Sequence, residues 1–370
     1  MPRTSSKTDP WPLTPGPSNR PLAPDSLLSG KRLNREEAQQ LWDLDLLTLG
    51  AAADRVRQRL NPEPRVTYVI DRNINYTNIC VSGCRFCAFY RTPGAEGGYV
   101  LGWDELAAKL QELKDHGGSG VLLQGGLNPE LSPEYYRQLI SSIRDSGLAV
   151  HGFSPPEVVY WAGQWKMSIT GVIRLLIDAG LSSIPGGGAE ILVDRVRSKI
   201  SPNKCDSARW LEVMGTAHRL GLKTSATMMF GHIETREERI EHMLKLRELQ
   251  DETGGFTAFI PWTFQPGGTN LGGDTLGAVE YLRTLAISRL VLDNVPHLQV
   301  SWVTQGGKAA QIALKFGADD FGSTMLEENV VAATGVGFRL PREEIEGLIR
   351  DAGYEPRVRD HRYKPVISGQ

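Results

Sequence analysis

From about Pro64 onward, short apolar runs alternate with longer amphipathic stretches. Runs such as Val66–Ile70 and Gly120–Gln124 are rich in β-branched and aliphatic residues, which is typical of buried strands. Stretches such as Trp103–Asp115 and Pro133–Arg144 place apolar residues at helical spacing, and glycines stand just past several helix ends. The pattern therefore predicts a regular alternation of strand and helix.

Six further strands are predicted along the same alternation. They are Leu148–His151, Leu181–Ile184, Lys223–Phe230, Phe256–Pro261, Leu298–Trp302 and Asp320–Ser323. Alternating strands and helices favour parallel pairing through right-handed crossovers, and eight units predict a closed barrel. We expect an α/β fold, a (β/α)8 TIM-type barrel; a partial six-stranded barrel is the alternative.

The flanking segments differ from this repeat. Residues 1–30 are rich in Pro, Ser, Thr and Lys, which predicts a disordered leader. Residues 31–64 predict an N-terminal helical cap, residues 65–326 the barrel, and residues 327–370 a short C-terminal extension. In such a barrel, the chemistry is expected on the loops that follow the carboxyl ends of the strands.

Composition narrows the function classes. The chain has 370 residues and a formal net charge of −2, so it offers no basic field for nucleic acid. No apolar run approaches the roughly 18 residues of a membrane span, and no signal peptide is recognisable. With only 4 cysteines, a disulfide framework is not expected. These features predict a cytoplasmic protein without nucleic-acid or membrane partners.

Three of the cysteines, Cys80, Cys84 and Cys87, follow the first predicted strand in the spacing CxxxCxxC. Three thiolates can hold three irons of a [4Fe–4S] cluster and leave the fourth iron open to another ligand. A structural zinc site needs four ligands, and the remaining Cys205 lies more than a hundred positions away. The spacing therefore predicts an iron–sulfur cluster, with a zinc knot as the alternative.

This cysteine spacing, with Phe86 just before the last cysteine, resembles the signature of the radical S-adenosylmethionine (SAM) superfamily. In that family, SAM chelates the open iron, and an electron from the cluster releases a 5′-deoxyadenosyl radical. The resemblance implies a [4Fe–4S] cluster and SAM as cofactors. It also implies an electron donor of the flavodoxin or ferredoxin type.

Other strand ends carry further elements of the resemblance. Gln124, Gly125 and Gly126 are similar to the Gly-Gly-Glu element that binds the SAM ammonium, although Leu127 stands where the acid would be. Their alternative is a tight turn. The remaining residues with an implied SAM contact are Phe86 (adenine, or a shield for the cluster), Glu190 (ribose, or a helix-terminal acid), and Gly231 and Glu234 (the GxxE element).

Candidate catalytic and substrate residues follow from side-chain chemistry. His151 and His232 are acid/base candidates, because the unperturbed imidazole pKa is near neutrality. Glu157 is expected to form a capping box with Ser154. Four side chains suit an aromatic, polyhydroxylated substrate or are simply structural: Trp262, Gln265, Trp302 and Gln305.

Several phrases resemble one branch of the superfamily, the radical SAM enzymes of the futalosine route to menaquinone. They include residues 151–157, 183–190, 250–262 and 301–306. The cyclase of this branch abstracts a hydrogen from the substrate ribose, and we expect that activity here. A relative that adds an adenosyl radical to an enolpyruvyl ether, and the deazaflavin-forming enzymes, are the alternatives. A non-catalytic electron carrier would need a fourth cluster ligand.

Overall fold

The computed structural model describes residues 31–366 of the chain. The predicted leader, residues 1–30, lies outside the described residues. The strands run β1 Arg65–Val69, β2 Asp71–Asn75, β3 Gly120–Gln124, β4 Ala149–Gly152, β5 Leu181–Ile184, β6 Lys223–Phe230, β7 Phe256–Thr263, β8 His297–Leu298, β9 Asp320–Ser323 and β10 Glu355–Val358.

The helices of the described residues run α1 Arg35–Gln40, α2 Leu46–Leu60, α3 Trp103–Asp115, α4 Pro133–Asp145, α5 Pro155–Gln164, α6 Ile169–Ala179, α7 Asp194–Ile200, α8 Ser207–Arg219, α9 Arg236–Thr253, α10 Ala278–Val291, α11 Trp302–Ala313 and α12 Arg342–Asp351. Local capping explains several of their ends. Thr235 and Glu238 form a capping box at the start of α9, and Gly254 closes that helix in the left-handed conformation.

The strands β2 to β8 form a parallel seven-stranded sheet in sequence order, and β1 pairs with β9 and β10 in a second sheet. Only Ile70 separates β1 from β2, so one extended segment passes from the second sheet into the first. A bridge from Gln299 to Asp320 joins the end of β8 to β9. The parallel strands therefore curl into a barrel, and the prediction of a TIM-type α/β barrel is confirmed.

One predicted strand is wrong over most of its length. Strand β8 covers only His297–Leu298; of the predicted strand residues, Ser301 is the N-cap and Trp302 the first residue of helix α11. The backbone N–H of Ser301 donates to the Tyr281 hydroxyl of α10 (2.8 Å), which ends the extended run. The helix is itself kinked at Gly306, whose φ of 78° is readily adopted only by glycine.

Helices α1 and α2 form the N-terminal segment, and α2 packs along α10. At its other end the chain forms β10 beside β1, with Arg65 opposite Glu355 and Tyr68 opposite Val358. The residues after β10 then turn into the barrel, where Arg359 and His361 are buried. The C-terminal extension thus closes the amino-terminal end of the barrel. No helix among the described residues is long and apolar enough to cross a membrane.

Candidate active site

The loop after β2, residues 78–87, carries the three predicted ligands, and we call it the cysteine loop. Cys80 and Cys84 are buried and Cys87 is partly buried. The hydroxyl of Ser82 lies 3.0 Å from Cys80 Sγ and 3.3 Å from Cys84 Sγ, between the two thiols. The backbone N–H of Leu127 points at Cys80 Sγ (3.2 Å). The loop therefore already offers donors to its sulfur atoms.

The Gly-Gly turn after β3 packs directly on this loop. A Cβ on Gly126 would lie 2.2 Å from the Ile79 carbonyl oxygen and 2.9 Å from Cys80 Cβ. A Cβ on Gly125 would lie 2.4 Å from the Tyr76 ring. Both glycines are thus required by close packing, and the turn brings the Leu127 N–H to the cysteine loop.

A buried carboxyl lies beneath this contact. Glu157 accepts hydrogen bonds from the Tyr76 hydroxyl (2.6 Å) and the Ser154 hydroxyl (2.6 Å), and burial raises its pKa to about 7. The expected capping box is wrong, because the Ser154 side chain donates to Glu157 and makes no cap bond to the α5 backbone. Glu157 instead ties α5 to the segment that leads into the cysteine loop.

A cation lies beside the cysteine loop. Lys204 Nζ donates to Glu190 Oε1 (2.9 Å) and lies 5.1 Å above the Phe86 ring. Burial alone would lower the pKa of Lys204, but the sulfur of Cys84 and the carboxylate of Glu190 raise it above its usual value. Glu190 itself has a positive φ of 41°, and its Oε2 is buried without a hydrogen-bond partner among the described residues. The Arg197 guanidinium lies 3.8 Å from this oxygen, so Oε2 has a cation nearby but accepts no hydrogen bond from the described residues.

The barrel contains a cavity of about 280 Å³. Five of the predicted site residues line it: Gln124, His151, Glu190, Trp262 and Trp302. Gly187 and Gly188 also line it, and a Cβ on Gly187 would lie 2.9 Å from Gln124 Nε2. The strand ends that carry Gln124 and Glu190 border the cysteine loop as well, so the cavity and the loop share one end of the barrel.

The imidazoles of the two candidate catalytic histidines have different surroundings. His151 accepts or donates a hydrogen bond at Ser183 Oγ (2.7 Å), and burial lowers its pKa well below the usual value. His232 lies outside the cavity lining: its Nδ1 accepts from the Ile233 N–H (2.7 Å) and its Nε2 faces the Met229 carbonyl (3.1 Å). Both nitrogens of His232 therefore serve the backbone of its own loop.

The GxxE residues shape that same loop after β6. Glu234 accepts from the N–H groups of Gly231 (2.6 Å) and His232 (2.9 Å) and pairs with Arg239 (2.8 Å). Gly231 has a φ of 93°, and a Cβ there would lie 2.4 Å from Leu276. The two residues fold the loop back on itself beside the end of β6.

Of the four predicted substrate residues, only the two tryptophans line the cavity. The Trp302 indole N–H donates to the Ser323 carbonyl (3.0 Å), which fixes its ring in the wall. Gln265 and Gln305 both donate to the hydroxyl of Thr263, at 3.0 and 2.6 Å. These two amides therefore hold the end of β7 in place.

The residues present fit the cofactors that the cysteine spacing implies. The loop offers three thiols next to backbone and hydroxyl donors, and Lys204 supplies a positive charge for thiolate ligands. Within residues 31–366, no three Cys, His, Asp or Glu side chains converge on a single point where one ion would bind. A cuboidal cluster puts each thiolate on a different iron, so its ligands need no such convergence.

Family models and relatives of the chain agree with the predicted radical SAM chemistry. A family model described as the radical SAM superfamily matches residues 74–246, and one described as the CofH/MqnC C-terminal region matches residues 253–368. The chain is 44% identical to the cyclic dehypoxanthine futalosine synthase of Halalkalibacterium halodurans over 92% of its length and 93% of the relative. It is also 44% identical to that of Streptomyces coelicolor, over 93% and 88%.

The aminodeoxyfutalosine synthase of Thermus thermophilus is 39% identical over 94% of this chain and 95% of its own. Among solved structures, methylornithine synthase matches with a TM-score of 0.72 at 18% identity, covering 90% of this chain and 96% of that one. That likeness concerns the fold alone. The chain belongs to the radical SAM superfamily and is therefore an enzyme. Within the superfamily it belongs to the group that carries the CofH/MqnC C-terminal region.

Some residues of the cavity wall were not predicted from the sequence. Asp71, Asn73, Arg359 and His361 all line it. One signal was available, because β2 carries polar residues at alternating positions around Ile74, as expected of a strand that faces a polar lumen. The C-terminal residues gave no comparable pattern.

Proposed function

We propose that this chain is a radical SAM oxidoreductase that converts dehypoxanthine futalosine to cyclic dehypoxanthine futalosine in menaquinone biosynthesis. The observation that carries the proposal is a three-cysteine loop that borders a cavity at one end of a barrel. The identity of 44% to two synthases of that name, against 39% to an aminodeoxyfutalosine synthase, supports this substrate.

Cys80, Cys84 and Cys87 would hold a [4Fe–4S] cluster, and SAM would bind at its open iron. When bound and reduced, these cofactors would supply a 5′-deoxyadenosyl radical for the abstraction of a hydrogen atom from the substrate ribose. The turn at Gly125 and Gly126 and Oε2 of Glu190, which accepts no hydrogen bond from the described residues, would bind SAM between the cysteine loop and the cavity. An electron donor of the flavodoxin or ferredoxin type is part of the proposal.

The chain itself contributes enclosure, orientation and proton transfer. The barrel wall would surround the reacting atoms, and Trp262 and Trp302 offer flat apolar faces to the aromatic part of the substrate. Ring closure on the benzoate must release one proton and one electron, and the electron balances the one that cleavage of SAM consumes. Glu190 and His151 face the cavity and are the proposed acceptors, whereas His232 would act through its loop.

An anaerobic assay tests the proposal. Reconstituted protein, SAM, dithionite and dehypoxanthine futalosine are expected to give the cyclic product together with 5′-deoxyadenosine, identified by mass. The synthase alternative would instead consume an enolpyruvyl ether and incorporate the adenosyl group into its product. Absence of 5′-deoxyadenosine with the first substrate, together with adenosyl incorporation with the second, would overturn the proposal.

A further inference from the structure

The amino-terminal end of the cavity is closed by the chain's own C-terminal segment. After β10, the Arg359 guanidinium forms a two-point ion pair with Asp320 (2.5 and 2.8 Å), and both side chains are buried. The Tyr363 ring stacks on His297 (4.4 Å between centroids) and under Arg359 (3.8 Å). These contacts fix residues 359–363 as a rigid base, which we call the cavity floor.

His361 projects from the floor toward the lumen. Its ring stacks on His151 at 4.8 Å with an interplanar angle of 19°. Gly120 makes room for it, because a Cβ there would lie 2.7 Å from His361 Cδ2. Its Nε2 is buried without a hydrogen-bond partner among the described residues, and Asp71 Oδ2 lies 3.6 Å away.

A second unpartnered group lies one side-chain layer nearer the cysteine loop. Asn73 lines the cavity, and its Oδ1 is buried without a partner in the described part of the chain. The sheet register places Asn73 opposite Leu122, and Leu122 opposite His151, in one layer across the strands. Asn75 and Gln124 lie two residues further along, about 7 Å nearer the cysteine loop. That depth accommodates a pentose ring.

The charges at the cavity floor do not suit an anionic ligand group. Arg359 is the one Lys or Arg side chain among the described residues that line the cavity, and Asp320 occupies its guanidinium. Burial lowers the pKa of His361 to about 3 and that of His151 well below its usual value, while burial raises the pKa of Asp71 to about 6. Near neutral pH both imidazoles are uncharged. Neutral imidazole and amide groups are partners for hydroxyl groups.

We propose that the sugar subsite lies on the cavity floor, where His361 Nε2 of the floor and Asn73 Oδ1 of the adjoining strand β2 bind hydroxyl groups of the substrate ribose. The inference deepens the proposed function and rests on it. The hydroxyl-bearing face of the ribose then points away from the cysteine loop, and the remaining ring carbon points toward the SAM site. The aromatic end lies along the wall that carries Trp262 and Trp302.

The test is equilibrium binding under anaerobic conditions, with iron-loaded protein and SAM but no reductant. The probes are dehypoxanthine futalosine and its analogues that lack one ribose hydroxyl. His361→Phe keeps a flat ring without nitrogen, and Asn73→Leu keeps the size of the side chain. Each variant is expected to weaken the natural substrate about tenfold and to leave SAM affinity unchanged. The analogue that lacks the partner hydroxyl should bind the variant and the unaltered chain equally.

His218→Phe is the matched control, because His218 is bonded to Thr253 and Thr224 and does not line the cavity. It should bind every probe like the unaltered chain. If His361→Phe does not fold, His361→Gln and Asn73→Leu carry the comparison. Unchanged affinities in folded variants of a chain that converts the substrate would overturn the sugar subsite alone. Failure of the unaltered chain to bind dehypoxanthine futalosine would overturn the proposed function as well.

Discussion

Gly126→Ala tests the packing that joins the Gly-Gly turn to the cysteine loop. The added Cβ would lie 2.2 Å from the Ile79 carbonyl oxygen, 2.7 Å from its carbonyl carbon and 2.9 Å from Cys80 Cβ. Ordinary carbon–oxygen contacts are about 3.3–3.6 Å, so backbone must move by about 1 Å. Overpacking of this kind costs about 1–3 kcal/mol. The displaced loop carries the proposed cluster ligand, so iron binding should fall together with stability.

Gly163→Ala is the matched control, because a Cβ there meets nothing within 4 Å and the residue lies inside helix α5. Removing a helical glycine should raise the free energy of unfolding by about 0.5–1 kcal/mol. Urea unfolding and iron content per chain, measured on both variants after anaerobic reconstitution, give the comparison. A Gly126→Ala chain with unaltered stability and full iron content would refute the close packing of turn and loop.

Three further predictions follow from buried groups. Replacing any one of the three thiols of the cysteine loop by alanine should abolish the iron–sulfur absorbance, whereas Cys205→Ala should retain it, as iron analysis will show. The pKa of Glu157 is raised from 4.5 to about 7, so the folded chain keeps a proton that the unfolded chain has lost in this interval. The contribution of Glu157 to the free energy of unfolding is full below about pH 4.5 and falls by about 3 kcal/mol as the pH rises to about 7. Glu157→Gln should remove that pH dependence from urea unfolding. Arg359→Met leaves the buried Asp320 carboxylate without its cation and should lower the free energy of unfolding by about 3–5 kcal/mol. The double variant that also carries Asp320→Leu should recover most of that loss. Equal losses in the single and the double variant would contradict a paired role.

The sequence predicted the barrel well because its strands and helices follow simple periodicities. Helix α3 and strand β3 begin and end where the pattern places them, at Trp103–Asp115 and Gly120–Gln124. Strand β8 was overextended because Val300 and Trp302 are typical strand residues, while the Ser301 bond to Tyr281 of α10 is a tertiary contact. Such a contact leaves no local signal.

The site was predictable only where spacing carries chemistry. The cysteine loop is predictable because three thiols lie within eight residues, Cys80 to Cys87. The cavity floor is not predictable, because Arg359 and His361 reach the lumen through the pairing of β10 with β1, almost 300 residues away in the chain. Gln265 and Gln305 show the converse: their side chains suit a ligand, but both bind Thr263. Whether such a side chain reaches the cavity depends on contacts between distant parts of the chain.

The fate of one hydrogen atom tests the central claim most directly. The substrate for this test is dehypoxanthine futalosine with deuterium at C4′ of the ribose. It is incubated anaerobically with reconstituted protein, SAM and dithionite. The proposed radical chemistry predicts one deuterium in the 5′-deoxyadenosine that forms, in step with the cyclic product. Unlabelled 5′-deoxyadenosine beside labelled cyclic product would contradict hydrogen abstraction from that carbon by this chain.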